Sequence, residues 1–433
     1  MKKVELLSPA GTLEKLKIAF DFGADAVYGG VSHFSLRIRS GKEFSMEDFA
    51  EGIEYAHARG KKVYVTINGF PFNSQLSLLK KHIVAMAALN PDAFIVATPG
   101  VLKLCHELAP GMALHLSTQA NVMNVLDAQI YHEMGATRII TAREISLKDL
   151  VAIKKELPDL ELEVFVHGSM CFAYSGRCLI STLQSGRVPN RGSCANDCRF
   201  EYEMYAANPD TGTLFRLEED EGVGTYIMNA KDLNLASHMK EILDANVVDS
   251  VKVEGRTKTA YYAATTAKAY RMAIDDYYQE DFNHERYQYE LQSLQNRGYT
   301  DAYLVSRPFE RNDTQSLDFS MQLGTHQVSG VITDAGTHFL CKFKTSPNDE
   351  IEIMAPLDAK IELVDNEIGT TYEKDGKLFL KFKQLLAENK KIYEVIHSGN
   401  TNAITLPTQM PAYTFLRVPA NIDMGTNPKK ESK

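Results

Sequence analysis

The sequence predicts an α/β fold: a TIM-type (β/α)8 barrel with a cysteine-bearing insertion, followed by a small, barrel-like all-β domain. Eight short β-branched or apolar runs alternate with amphipathic helical stretches, the pattern of repeated βαβ units. One long segment carrying four of the six cysteines interrupts that alternation. From about residue 323 the periodicity changes to that of short alternating strands. A chain of 433 residues accommodates one barrel-sized domain and a smaller one.

The first strand is expected at Val4–Leu7, followed by a helix over Leu13–Phe22. Further strands are expected at Ala26–Tyr28, Val63–Ile67, Phe94–Val96, Leu114–Ser117, Arg138–Thr141, Glu163–His167 and Val251–Val253. Between them, Met46–Arg59, Gln75–Leu89 and Val125–Met134 have apolar spacing near 3.6. An open doubly wound sheet is the competing topology, but no G-x-G-x-x-G follows the first strand. The barrel is therefore assigned to residues 1–310, with an insertion at 168–246 holding a hairpin (Glu201–Ala206 with Thr213–Leu217) and the stretch Tyr226–Leu233. Tyr262–Tyr278 reads as a strong helix. The β domain is assigned to 323–418, with strands at Val328–Ile332, Phe339–Phe343, Glu350–Ile353, Lys360–Leu363 and Leu378–Phe382, and 419–433 as a tail.

Composition excludes several classes. With 44% hydrophobic and 24% charged residues the chain is neither disordered nor low-complexity. No apolar run reaches the roughly 18 residues of a membrane span, so no membrane partner is expected. Met1-Lys2-Lys3-Val4-Glu5 passes into polar sequence without the apolar core of a secretory signal, which places the protein in the cytoplasm. A net charge of -9 argues against coating nucleic acid by bulk electrostatics, although a local basic site remains compatible with it.

In a barrel, polar residues at the carboxyl ends of strands face the active-site mouth. Here they include Ser8, Tyr28, Asn68, Thr98, Ser117-Thr118-Gln119-Ala120-Asn121, Arg143-Glu144, His167 and Glu254-Gly255-Arg256. Any one of them also fits a cap or turn role. As a set they suit a polar, anionic small molecule or a nucleotide, with Arg143 and Arg256 able to make bidentate contacts to carboxylate or phosphate. Cys171-x6-Cys178-x15-Cys194-x3-Cys198 supplies four soft ligands, suited to tetrahedral zinc or an iron–sulfur cluster; four reduced structural cysteines are the plain alternative. Cys105 and Cys341 stand alone and read as core residues. Between Cys171 and Arg199 lie Arg177, Arg187, Arg191 and Arg199 against one acid, Asp197, reversing the sign of the whole chain. That suits phosphate steering, with Phe172, Tyr174 and Phe200 as candidate base-stacking rings and Lys258 and Lys268 extending the positive rim.

The stretch Glu163-Val-Phe-Val-His167-Gly168-Ser169-Met170-Cys171-Phe-Ala-Tyr174-Ser-Gly176-Arg177-Cys178-Leu-Ile-Ser181 resembles the signature of the U-32, collagenase-like peptidase family. That signature is an acidic residue, an aromatic, Gly-Ser/Ala-x-Cys, four residues, Gly-x-Cys and a Ser. The resemblance continues from Leu6-Leu7-Ser8-Pro9-Ala10-Gly11 and Gly23–Gly30 to Arg191–Arg199, Lys252–Arg256 and the β domain. It is close to the collagenase-like protease branch and to its tRNA-hydroxylating relatives.

Proteolysis finds no support in the residues themselves. There is no G-x-S-x-G elbow, and His106-Glu107 lacks the second histidine of a zinc protease. The resemblance implies a 4Fe-4S cluster held by Cys171, Cys178, Cys194 and Cys198, with zinc as the alternative; in some relatives the fourth ligand lies further along, where this sequence has no cysteine. It implies hydroxylation of the wobble uridine of tRNA at carbon 5, with prephenate as hydroxyl donor. On that reading His167 and Glu254 are candidates for proton transfer or for supporting other groups, Arg143 and Arg256 for the prephenate carboxylates, and Arg187, Arg191 and Arg199 for RNA phosphates. A collagenase-like peptidase is the runner-up, and a noncatalytic RNA-binding protein the third reading.

Overall fold

The computed structural model describes residues 3–31, 34–35, 44–171, 173–174, 178–187, 189, 193–217, 229–308, 311–316, 321–332, 336–397 and 402–420. They form two units, 1–291 with 296–322, and 292–295 with 323–433.

The first unit is the barrel. Strands β1 (Glu5–Pro9), β2 (Ala26–Gly29), β3 (Lys62–Ile67), β4 (Ala93–Val96), β5 (Ala113–Leu116), β6 (Arg138–Ile140) and β7 (Glu161–Ser169) pair in order, all parallel. Helices α1 (Leu13–Asp21), α2 (Met46–His57), α3 (Leu76–Ala88), α4 (Pro99–Leu108), α5 (Val125–Glu133) and α6 (Leu147–Glu156) lie between them. Most start on a polar cap that satisfies a free N–H: the side chains of Thr12, Ser45, Thr98, Asn124 and Ser146 each accept from the backbone three residues on. Thr98, a candidate for the mouth, is thus the cap of α4.

After β7 come α7 (Ile180–Ser185), a hairpin of β8 (Met204–Ala207) and β9 (Leu214–Leu217), β10 (Asp232–Asn234) and α8 (Met239–Asp244). Strand β11 (Ser250–Val253) then pairs in parallel with both β7 and β1, closing the eight-stranded barrel. The insertion is tied to it, because β10 runs antiparallel to the end of β7, with Asp232 opposite Ser169 and Asn234 opposite His167. That pairing extends β7 beyond the expected end at His167. Of the expected stretch Tyr226–Leu233, residues 226–228 lie outside the described residues and the strand starts at Asp232. Helices α9 (Ala260–Tyr278) and α10 (His284–Gln292) and strand β12 (Tyr299–Thr300) follow.

The second unit contains β13 (His326–Val331), β14 (Gly336–Cys341), β15 (Glu350–Met354), β16 (Gly369–Lys374), β17 (Lys377–Phe382), β18 (Leu385–Leu386), β19 (Ile392–Tyr393), β20 (Ile404–Met410) and β21 (Phe415–Pro419). Seven of these form an antiparallel sheet in the order β16-β17-β15-β21-β13-β14-β20, which curls until its two edges approach. Ile332, Phe339, Ile351, Leu380, Phe382 and Met410 fill its core. Two expectations are corrected. The segment 360–363 is not a strand; the Thr371 hydroxyl donates to the Glu362 carbonyl and accepts from the Val364 N–H, holding the segment beside β16 without a ladder. Pro419 belongs to β21 and the Ala420 N–H donates to the Thr325 carbonyl, so the domain passes the expected boundary at 418; residues 421–433 lie outside the described residues. Among the described residues no helix is long and apolar enough to cross a membrane.

Candidate active site

A barrel strand alternates its side chains between the interior and the helices, so charged residues at inward positions must find partners there. Five strands meet this demand jointly. Arg138 of β6 donates to Glu5 at 2.6 Å, Glu161 at 2.7 Å and Glu163 at 3.1 Å. The hydroxyls of Tyr64 and Ser250 also donate to Glu5. Burial would raise the Glu5 carboxyl, but Arg138 and these hydroxyls hold it below its ordinary value. Glu163, fully buried on β7, accepts from the ammonium of Lys252 on β11 at 2.7 Å. Burial lowers the Lys252 pKa and Glu163 opposes the shift. The Lys252 Nζ lies 4.2 Å from the Tyr28 ring centroid.

Above this network a cavity of about 140 Å³ opens at the carboxyl ends of the strands. Lys252 and Phe165 belong to strand interiors and form its deeper wall; Asn68, Thr118, Gln119 and Arg143 follow strand ends. Ser169 and Cys171 come from the end of β7, and Glu254 and Arg256 from the turn after β11. Arg256 donates to the hydroxyls of Ser35 at 2.6 Å and Thr66 at 2.9 Å. The Arg143 guanidinium stacks 4.0 Å from the Phe165 ring centroid. Arg199, from the insertion, reaches the same wall. Four cationic side chains face one carboxylate, a lining charge of +3 in a chain of net charge -9.

His167 does not line this cavity. It is 2% exposed among the rings of Tyr262, Tyr270 and Tyr299, and the Tyr270 hydroxyl stands 3.4 Å from Nδ1. Burial, reinforced by Lys258, depresses its pKa to about 3, so the imidazole is neutral at physiological pH. Its backbone carbonyl accepts from the Glu254 N–H, and Tyr262 donates to the Glu254 carbonyl at 2.6 Å, fixing the turn that carries Glu254 and Arg256. Gly168, at φ +115, is required here because a Cβ would stand 2.6 Å from the Glu254 carbonyl.

The insertion brings the cysteines to this edge. Ser181 Oγ accepts from the Ala195 N–H and stands 3.9 Å from the Cys194 sulfur; Ser185 donates to the buried Asp197. These contacts bind α7 to the turn holding Cys198 and Arg199. Burial pushes the Cys198 thiol up; Arg199 opposes this and Cys171, Cys194 and Cys178 add to it, so the four sulfurs share one electrostatic neighbourhood. Among the described residues no three His, Cys, Asp or Glu side chains converge on a single metal position. The donor set nonetheless fits a thiolate-held group: four soft ligands on one insertion, with Cys171 on the cavity wall. Cys105 and Cys341 are buried elsewhere, in α4 and β14.

Of the RNA candidates, Arg187 is exposed after α7, Arg199 is half-buried, and Arg191 lies outside the described residues, as do Arg177 and Phe172. Tyr174 and Phe200 are exposed. Lys268 does not extend the positive rim, because Glu290 of α10 neutralises it at 2.8 Å. Two residues outside the candidate list matter. Lys252 stood in the sequence inside the expected strand Val251–Val253 and at the start of the matched stretch Lys252–Arg256, with no role assigned to it. Arg297 pairs with Asp232 and donates to the Ala230 carbonyl, anchoring the returning strand β10.

A family model described as peptidase family U32 matches residues 11–314. The chain belongs to peptidase family U32. Within that family it is 59% identical over 422 residues to "tRNA hydroxylation protein P" of Helicobacter pylori (strain J99), covering 98% of this chain and all of the relative. The Escherichia coli (strain K12) protein of the same description is 37% identical over 414 residues, covering 85% of this chain and 90% of the relative. A "Collagenase" of Porphyromonas gingivalis (strain W83) is 29% identical over 316 residues, covering 70% of this chain and 74% of the relative.

Proposed function

We propose that this U32 protein modifies tRNA, hydroxylating the wobble uridine at carbon 5 with prephenate as hydroxyl donor. The observation that carries the reading is the 59% identity, over essentially the whole of both chains, to a tRNA hydroxylation protein. The cavity supports it. A lining charge of +3 suits a dicarboxylate, with Arg143 braced on Phe165 and Arg256 held by Ser35 and Thr66 as carboxylate-binding groups. Among the described residues no histidine lines the cavity, so no serine or cysteine described on its wall has an imidazole base, which favours modification over peptide hydrolysis.

Cys171, Cys178, Cys194 and Cys198 would hold a 4Fe-4S cluster, which when bound supplies one-electron chemistry beside the cavity. Glu254, on the wall, is the candidate for moving a proton; His167 secures the turn that presents it. The exposed Arg187, with Arg199 and Arg191, would meet RNA phosphates, and exposed Tyr174 and Phe200 offer faces for splayed bases. The test is nucleoside analysis of tRNA from a deletion strain that also lacks redundant hydroxylases. Wobble 5-hydroxyuridine derivatives should disappear, and should return with the intact gene and not with a Cys178→Ala copy. Unchanged modification in that background refutes the reading.

A further inference from the structure

Lys252 occupies an unusual position for a lysine: 3% exposed, in the middle of a barrel strand, yet on the wall of the cavity. An ammonium has three N–H donors. Among the described residues one of them goes to Glu163, and no other hydrogen bond to Lys252 is present. The Tyr28 ring faces the charge without accepting a hydrogen bond in the ordinary sense. Gln119, on the same cavity wall and 4% exposed, shows a similar surplus. The Ser117 hydroxyl donates to its carbonyl oxygen at 3.1 Å, while its amide nitrogen is buried without a partner. Buried donors without acceptors are costly and therefore rare in folded proteins. Here two lie beside one cavity that is already cationic, so the missing partner is rich in acceptor oxygens.

We infer that Lys252 is a ligand-binding residue, taking an oxygen of the anionic co-substrate at the deep end of the cavity, below the groups supplied by Arg143 and Arg256. The inference rests on the co-substrate reading above for the identity of the ligand and on the donor geometry for the role of Lys252. It assigns Glu163 a different task. Glu163 is absent from the cavity wall and joins Lys252 to Arg138, so it compensates buried charge within the barrel and serves stability.

The experiment is calorimetric titration of anaerobically purified full-length protein with prephenate and, in parallel, with 2-oxoglutarate as an unrelated oxo-dicarboxylate. The variants are Glu163→Gln, Lys252→Met and the double variant, which removes both charges at nearly constant volume and so preserves the fold. A charge-assisted hydrogen bond contributes about 1.5–3 kcal/mol, so the double variant should bind about 10- to 150-fold more weakly than wild type. Glu163→Gln should bind within a few-fold of wild type. The inference is overturned if the double variant binds like wild type, or if Glu163→Gln alone loses as much as the double, the outcome expected of a purely structural pair. If wild type takes 2-oxoglutarate and not prephenate while the double variant loses it, the role of Lys252 stands and the co-substrate reading falls. If prephenate binds equally to wild type and the double variant, the reverse holds. If neither acid binds in the millimolar range, both fall.

Discussion

Glu163→Gln tests whether the acidic residue of the family signature is an element of the barrel's frame. In the folded protein this carboxylate is fully buried and accepts from Lys252 at 2.7 Å and Arg138 at 3.1 Å. Arg138 retains Glu5 and Glu161 after the substitution; Lys252 keeps no carboxylate. Leaving one member of a buried pair uncompensated costs about 3–5 kcal/mol. A unit of roughly 300 residues has an unfolding entropy near 0.6 kcal/mol/K, so the barrel transition should fall by about 5–8 °C. The sign of the pH dependence follows from Lys252. Its folded pKa is already below the ordinary 10.5, with burial as the main cause and Glu163 opposing; without Glu163 it falls further. The variant therefore regains stability as rising pH removes the Lys252 proton, and the deficit relative to wild type should be largest near pH 7 and shrink towards pH 10. Differential scanning calorimetry across that range measures both quantities. A loss below about 1 °C, or a deficit that grows with pH, would refute the assignment.

Two further outcomes follow from the insertion. Anaerobically purified protein should contain iron and acid-labile sulfide in near-equal amounts, with a broad visible band bleached by reductant; Cys171→Ala or Cys178→Ala should abolish it, and Cys105→Ala, altering a buried thiol of α4, should not. A colourless protein with stoichiometric zinc would give the cysteines a structural role. Replacing Arg187, Arg191 and Arg199 together by glutamine should weaken tRNA binding and flatten its logarithmic salt dependence by about 0.7–0.9 per lost phosphate contact, leaving iron content normal. An unchanged slope would remove these arginines from the interface.

The barrel was legible because seven of its strands are short, largely apolar and separated by helices, several of which start on a polar cap such as Thr12, Asn124 or Ser146. Strands β16, β20 and β21 were not. Gly369–Lys374 is largely polar, and Pro407 interrupts Ile404–Met410, where the ladder with β14 is itself irregular. The site was half legible for a related reason. Residues at strand ends reveal themselves by position, so Arg143, Glu254 and Arg256 were found, and the structure brings them to one cavity. The surroundings of His167 come from α9 and β12, about a hundred residues away in sequence, and only the closed fold shows a neutral imidazole packed among tyrosines. The signature itself now divides by role. Glu163 fixes Lys252, Gly168 admits the turn after β11, and Ser181 ties α7 to the Cys194 loop. Among the described signature residues, Phe165, Ser169 and Cys171 reach the cavity wall. The motif therefore marks the join between a cysteine-bearing insertion and a cationic barrel mouth.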